Sequence, residues 1–248
     1  MSLLDTADVP AAFTEAAPRY DRMVSLNPGY HRHLRKAADA LVGALRGSRP
    51  VRLVDLGCGS GASTRALVAA AAARTGHDVV VGVDASEGML AQASAKVWPA
   101  GVTFEHGLAQ DLGRCRDAWG LAGPVDGVLA AYLFRNVGPD ERDAVLTDVH
   151  DLLADDGTLV VQEYSVAGSA PAGLVWTAVS WSIVIPLSWA TSRQTRLYRY
   201  LWRSVRAFDS VQTFVDRLYA AGFTSVEVST VPGWQHGILH TFRARKGA

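Results

Sequence analysis

The residues best suited to chemistry lie in the run Val54-Asp55-Leu56-Gly57-Cys58-Gly59-Ser60-Gly61, where an acidic side chain precedes three glycines at alternate positions. Alternating glycines permit positive φ and let the backbone approach a ligand with no Cβ in the way. By itself the run indicates an adenosine-binding crevice, because dinucleotide-binding and nucleoside-binding sheets both use it. A second acid, Asp84 in Gly82-Val83-Asp84-Ala85-Ser86, falls at the expected end of a second strand, where its carboxylate can accept both hydroxyls of a ribose. Asp55, two residues before the first glycine, and Glu87-Gly88-Met89-Leu90 at the head of the next helix tilt the reading from a dinucleotide to a smaller nucleoside-based ligand.

Such residues have to be held at the carboxyl ends of neighbouring strands. Between Val51 and Tyr164, β-rich apolar runs at 51–56, 79–84, 101–106, 125–132 and 157–164 alternate with helical stretches at 62–75, 86–97 and 139–153, with Gly76 and Gly157 as closing signals. That rhythm predicts an α/β, doubly wound, mostly parallel, Rossmann-like sheet. A helical N-terminal arm, residues 1–47, precedes it; its clearest helix runs over 28–46, opened by Pro28 and stopped by Gly47, and the arm can cover the sheet. After the fifth strand a helical insertion spans 165–206. A helix at 210–221 and strands near 224–231 and 235–244 follow, the last two extending the sheet antiparallel to seven strands. The 248 residues read as a single domain.

Lys plus Arg and Asp plus Glu number 24 each, so no overall field concentrates polyanions, and nucleic acid is not expected as a partner. Cys58 and Cys115 lack metal-ligand spacing, so no metal is expected, and no cationic, apolar leader stands at the N-terminus; a cytoplasmic protein is expected. From Tyr164 to Ser192 no residue is charged, a length that reaches across a bilayer. Gly168, Pro171, Gly173 and Pro186 interrupt that run, which favours a buried or membrane-surface helix over a greasy site, and peripheral membrane contact stays open. Trp176, Trp181 and Trp189, followed by the Arg/Tyr/Trp-rich segment 193–206, read as the wall or lid of a cavity for a hydrophobic acceptor.

Further residues carry a family likeness. Ala17-Pro18-Arg19-Tyr20-Asp21-Arg22-Met23 and Gly29-Tyr30-His31 lie near the start, Leu133-Phe134-Arg135-Asn136-Val137 in the middle, and Tyr198-Arg199-Tyr200-Leu201 with Ala221-Gly222-Phe223, Gly237 and His240 near the end. With the glycine loop they make the chain resemble class I methyltransferases, and in particular the ubiquinone/menaquinone-biosynthesis C-methyltransferase family, along nearly its whole length. The Arg-Asn-Val match separates that family from methyltransferases at large.

The resemblance implies that S-adenosylmethionine is held by Gly57, Gly59, Gly61 and Thr64, with its ribose on Asp84 and its methionine end near Asp55. Cys58, Ala85 and Met89 complete the loop and wall, Leu108 and Ala109 flank the adenine, and Ala131 lines the cofactor. It further implies methyl transfer to a carbon of a hydrophobic, quinol-like aromatic acceptor, with O- or N-methylation of a polyketide-like metabolite, or binding without transfer, as alternatives. A ring carbon attacks best when a neighbouring hydroxyl is ionised, which gives Arg135 the role of stabilising a phenolate. Tyr20, His31 and Asn136 are candidates for orienting the ring or relaying its proton.

By residue type alone, Arg135 and Asn136 read better as caps of a helix starting near Pro139, and His31 as part of a solvated basic face with Arg32, His33, Arg35 and Lys36. His236 and His240 read as structural. Leu108 stands where relatives place an Asp or Asn, while Leu133 and Leu34 replace a Gly and a Trp of the family pattern. A homodimer is left open.

Overall fold

The structure, a computed structural model, describes residues 8–25, 27, 29–46, 50–72, 78–191 and 195–247. Pro28, Gly47 and Gly76, read above as helix signals, lie outside the described residues.

Seven strands form one sheet in the order β3-β2-β1-β4-β5-β7-β6. They are β1 (Arg52–Leu56), β2 (Val79–Asp84), β3 (Val102–His106), β4 (Val125–Ala131), β5 (Leu153–Tyr164), β6 (Phe223–Thr230) and β7 (Leu239–Lys246). The first five are parallel, and β7 runs antiparallel to both β5 and β6. Because β1 feeds β2 on one side and pairs with β4 on the other, the connections leave the sheet in opposite directions there and open a crevice at the carboxyl ends of the strands.

Strand alternation distributes the core over two faces. Val54, Leu56, Val128, Ala130, Leu159 and Val161 pack against α6 (Arg142–Leu152) and α10 (Val211–Ala220). Leu53, Val80, Leu129 and Val160 point the other way, onto α2 (Tyr30–Ala44) and α3 (Ala62–Ala71). On the edge side, α4 (Glu87–Ser94) is capped by Ser86, whose hydroxyl accepts from the Met89 N–H at 3.2 Å. A 3₁₀ turn at Ala109–Asp111 leads into α5 (Leu112–Cys115), and a second at Phe134–Asn136 follows β4.

Two expectations need correction. The helix expected over 139–153 begins at Arg142 and ends at Leu152, and β5 starts at Leu153 rather than Gly157. The cause is a bulge: Val125 pairs with Leu153 but Gly127 with Thr158, so the β5 side carries extra residues there. Asp156, not Gly157, takes the positive φ, at 62°. Nor do Arg135 and Asn136 cap α6. They belong to the 3₁₀ turn, which Arg142 fixes by donating from Nε to the carbonyls of Phe134 and Val137, each at 3.2 Å.

The arm contributes α1 (Val9–Ser25) as well as α2, and the insertion consists of α7 (Ala170–Val179), a π-helical turn at Ser180–Val184, α8 (Ile185–Thr191) and α9 (Thr195–Ala207). The uncharged stretch therefore folds as helix interrupted by a π turn.

Candidate functional site

The glycine loop leaves β1 with Gly57, Gly59 and Gly61 at φ 77°, 54° and 86°. Gly57 and Cys58 donate their N–H groups to the Val83 carbonyl at 2.8 and 3.0 Å, tying the loop to the end of β2. Beside them, Asp84 accepts the Gly59 N–H on Oδ2 and the Ser86 N–H on Oδ1, both at 2.8 Å. Each carboxylate oxygen thus holds one backbone donor and keeps a further lone pair. Burial raises the pKa of Asp84, opposed by the bonds from Ser86 and Gly59. Gly57, Cys58, Gly59, Asp84, Ala85, Met89, Leu108, Ala109 and Ala131 come together on one cleft of about 800 Å³.

Asp55, Thr64 and Gly61 stay off that cleft. Asp55 is fully buried and accepts the hydroxyls of Ser63 (2.7 Å) and Thr64 (2.6 Å) on Oδ2, so both side chains are spent on fastening the first turn of α3 to β1. Gly61 opens α3 against Trp98, whose ring a Cβ would meet at 2.9 Å. These three fasten the loop and do not line the cleft. Burial pushes the Asp55 carboxyl up to about 6, with the Thr64 and Ser63 bonds opposing. Between its ordinary value of 3.8 and about 6 the folded chain keeps a proton that the unfolded chain has released, so this group adds stability as pH falls through that window. Burial raises Asp84 and Glu163 too, which gives the same sign. The urea midpoint is expected to rise from about pH 7 to about pH 5, and Asp55→Asn is expected to make that rise shallower. An unchanged slope in the variant would refute the burial argument for Asp55.

Where relatives place an adenine partner, Leu108 leaves no side-chain acceptor. Asp111 lies on the cleft, but its carboxylate pairs with Arg114. His106, not foreseen, also lines the cleft and contacts the Ala85 carbonyl through Nε2 at 3.1 Å.

The arm roofs the cleft. Val9, Pro10 and Phe13 of α1 line it, Thr14 Oγ1 lies 2.9 Å from Ser86 Oγ, and the Ser60 hydroxyl donates to Asp21. Lys96 bridges the two layers, its Nζ 2.6 Å from Asp21 Oδ2 and 2.7 Å from the Ser60 carbonyl. The helices meet at Gly88, where a Cβ would lie 2.8 Å from the Thr14 carbonyl. Gly88→Val is expected to lift α1 and speed cofactor dissociation about tenfold, with the unfolding midpoint little changed; stopped-flow release reads this out, and an unaltered rate would show that α1 does not retain the ligand.

A second cavity, of about 500 Å³, adjoins the first and shares Phe13, Tyr20, Tyr30, Tyr132 and Arg135 with it. Along it four rings stack: Tyr30 on Tyr132 (5.6 Å), Tyr132 on Tyr164 (5.2 Å) and Tyr164 on Trp176 (5.1 Å). Tyr20 hydrogen-bonds Tyr30, and Gln235 Nε2 donates to Tyr164 Oη at 3.0 Å. Burial raises the pKa of Tyr20, Tyr30, Tyr132 and Tyr164, so at neutral pH these phenols carry their protons and act as donors. Tyr132 sits at φ 61°, a left-handed backbone uncommon for an aromatic residue. Its carbonyl accepts from both Arg135 Nη1 (2.8 Å) and Asn136 Nδ2 (3.2 Å), and Asn136 Oδ1 accepts from Tyr200 Oη (3.2 Å).

Glu163, fully buried at the end of β5, underpins Arg135. It accepts the Arg135 N–H on Oε2 at 3.2 Å, and its Oε1 lies 3.6 Å from Arg135 Nε. Burial pushes its carboxyl up, opposed first by the Arg135 charge. Among the described residues, Arg135 is the only formally charged side chain lining the second cavity. Of the four candidates for chemistry, Arg135 and Tyr20 line both cavities and Asn136 the cleft alone, whereas His31 is exposed on α2 and lines neither. Tyr30, one residue earlier, occupies the place expected of His31. Tyr30, named in the sequence only within a family segment, and Tyr132, Glu163 and Tyr164 escaped the sequence reading as site residues, although Tyr132 directly follows β4 and the last two close β5, where the carboxyl-end rule points.

Comparison with known proteins agrees with this arrangement. The model of the ubiE/COQ5 methyltransferase family matches residues 1–246. The chain is 32% identical over 218 residues to the demethylmenaquinone methyltransferase of Thermus thermophilus, covering 86% of this chain and 91% of that protein. It is 28% identical over 229 residues to the ubiquinone/menaquinone biosynthesis C-methyltransferase UbiE of Bradyrhizobium diazoefficiens, covering 89% and 85%. Among solved structures, magnesium protoporphyrin IX methyltransferase of Synechocystis PCC 6803 with bound S-adenosylmethionine shares the fold, with a TM-score of 0.66 at 15% identity over 99% of both chains. A crevice built on alternating glycines and a paired carboxylate, matched along nearly the whole length, means that the chain belongs to the ubiE/COQ5 methyltransferase family and is an S-adenosylmethionine-dependent methyltransferase.

Proposed function

We propose that the chain transfers a methyl group to a ring carbon of a hydrophobic, quinol-like aromatic acceptor. The observation that carries this reading is the charge pattern of the second cavity: among the described residues it is apolar and aromatic but for Asn27 and Arg135, and Arg135, its single formal charge, stands at the wall shared with the nucleoside cleft. Such a chamber favours an aromatic acceptor that brings one ionisable hydroxyl and an apolar remainder. The relatives named as acting on demethylmenaquinone and as C-methyltransferases support the same acceptor class and a carbon as the target.

The residues fit the cofactor. Asp84 keeps a lone pair on each oxygen for a ribose diol, Gly59 faces open space where a Cβ would meet nothing within 4 Å, and Met89, Leu108 and Ala109 offer apolar walls to a base. S-adenosylmethionine, when bound, supplies an electrophilic methyl on a sulfonium. The protein then has to position the acceptor, exclude water and stabilise charge; positioning alone is worth about 7 kcal/mol or more in well-oriented systems. Arg135 stabilises the ionised hydroxyl and so raises the electron density of the neighbouring carbon. Tyr20 orients the ring by donating to it, and Asn136 holds the Tyr132 carbonyl and the Tyr200 hydroxyl in place beside Arg135. No carboxylate or imidazole lines the chamber among the described residues.

The test is incubation with carbon-13-methyl S-adenosylmethionine and a panel of demethylmenaquinol, demethoxy-ubiquinol analogues and hydroxylated polyketides. An aryl-methyl resonance on a quinol product supports the reading. A methoxy or N-methyl resonance instead would move the chain to the O- or N-methylating alternative.

A further inference from the structure

α7, the π turn and the start of α8 form an apolar rod, Ala170–Leu187, with a mean hydropathy of 1.5 and enough length to cross a membrane, yet only 22% of it is buried. It is fastened to the body at its four buried residues, Ala172, Trp176, Ser180 and Ile185. Trp176 is buried, stacks on Tyr164 and donates its indole N–H to the Trp202 carbonyl at 3.2 Å, and Ile185 is buried further along. A spanning orientation would pull Trp176 out of the aromatic stack, so the rod lies across the molecule with one side open. On that side Leu174 is 72% exposed, Trp181 46% and Ile183 57%, and Trp189 just beyond is 69% exposed. Large apolar side chains left open along one rod mark a contact site.

Two neighbouring features say what covers it. On α9, Arg196, Arg199, Arg203 and Arg206 recur at intervals of three, four and three residues and so share one face, while Leu197, Tyr200 and Val205 are buried on the opposite face. From residue 165 to residue 208 the sequence has five Arg and no Asp or Glu, and Arg196 lies only loosely against an acid, Asp8 at 3.9 Å. The second feature is the rim of the acceptor chamber: Ile183, Leu187 and Trp234 line the chamber and are themselves exposed, so the apolar surface runs from outside directly into the site.

We propose that this face docks on an anionic lipid bilayer, with α7 and α8 lying in the interfacial layer, the α9 arginines on the phosphates, and the Ile183–Leu187–Trp234 rim opening the chamber to the acyl region. A hydrophobic acceptor then enters from the bilayer without crossing water. The entry route rests on the acceptor reading above; the docking does not.

The test is co-sedimentation of the full chain with vesicles of phosphatidylcholine alone and of equimolar phosphatidylcholine and phosphatidylglycerol. The chain is expected to bind the anionic vesicles, less so at high salt. Leu174→Ser combined with Trp189→Ser is expected to lower partitioning about a hundredfold, roughly tenfold for each apolar side chain withdrawn from the interface. Arg199→Ala combined with Arg206→Ala should cost about tenfold or more on anionic vesicles only. None of these four residues lines the chamber, so all variants should methylate a short-tailed, water-soluble acceptor analogue as the parent does. Absence of binding to anionic vesicles, or binding indifferent to both double variants, overturns the proposal. So does a dimer in light scattering that Leu174→Ser with Trp189→Ser dissolves, because a second copy would then be the cover. Vesicle binding that persists when no aromatic acceptor is methylated upholds the docking and removes the acceptor reading instead.

Discussion

Arg135→Met, made together with Glu163→Gln, is expected to lower kcat by about a thousandfold while the Kd for S-adenosylhomocysteine stays within a few fold, the magnitude associated with removing one preorganised group that stabilises developing charge. The double replacement matters because the two side chains are buried together, with 7% and 0% of each exposed. Taking away the arginine alone leaves a buried carboxylate uncompensated, a loss of about 3–5 kcal/mol that unfolding would report before chemistry did. Burial already raises Glu163, and loss of the opposing Arg135 charge would raise it further. With the glutamine in place the turn keeps a neutral partner and the activity measurement becomes interpretable. Arg135→Lys keeps the charge but loses the guanidinium that reaches the Tyr132 carbonyl, and is expected to fall between parent and double variant.

The pH profile separates a chemical role from a structural one. If Arg135 stabilises the ionised acceptor hydroxyl, it lowers that hydroxyl's pKa on the enzyme, so in its absence the rate should climb with pH to a higher midpoint and recover part of the loss in alkaline buffer. A folded double variant with kcat within tenfold of the parent, or with an unshifted profile, would reduce Arg135 to a support of the 3₁₀ turn.

The crevice was legible because its parts are local. The glycine run and Asp84 sit at strand ends within one parallel pair, and spacing alone places them together. Side-chain direction was harder to see, though a signal existed: Asp55 has the same parity on β1 as Leu53, which packs toward α2 and α3, so its carboxylate turns to the helix that Ser63 and Thr64 begin, off the cleft. On α2 the buried stripe includes Leu34, Ala37 and Leu41, and Tyr30 falls in line with them at helical spacing, whereas His31 falls at the stripe's edge and reaches solvent.

The acceptor chamber was legible only as a greasy, arginine-edged insertion. Its stack joins Tyr30, Tyr132, Tyr164 and Trp176 from α2, the end of β4, the end of β5 and α7, and such non-local contacts leave no periodicity in any one segment. The left-handed backbone of Tyr132, which turns one carbonyl toward both Arg135 and Asn136, has no sequence marker because the residue is neither Gly nor Asn. The β5 boundary failed for a related reason: glycine is the usual left-handed residue, but Asp156 took that conformation and left Gly157 inside the strand, where a Cβ would come within 2.7 Å of the Ala154 carbonyl.

Asp84→Asn is the complementary prediction, with its effect in affinity and not in turnover. The carboxylate receives one backbone N–H on each oxygen, and an amide in the same place must turn its NH₂ toward one of those donors or toward the ribose. Either way one charge-assisted bond becomes a donor facing a donor, and a second weakens with the loss of charge. Bonds to a charged group contribute about 1.5–3 kcal/mol each, so calorimetry is expected to find the Kd for S-adenosylhomocysteine raised about a hundredfold. Parent affinity should also decline as pH falls toward the raised pKa of Asp84, because protonation removes one of the two oxygens as an acceptor, and the variant should lose that dependence. At saturating cofactor kcat should be nearly that of the parent, since Asp84 lies on the cleft and not on the wall shared with the acceptor chamber. The two substitutions thus divide the site: Arg135 moves kcat and its pH profile, Asp84 moves cofactor affinity and its pH profile. A variant of Asp84 with normal affinity would place the ribose elsewhere in the crevice, and equal losses in affinity and turnover would show that Asp84 also sets the geometry of transfer through its hold on Gly59.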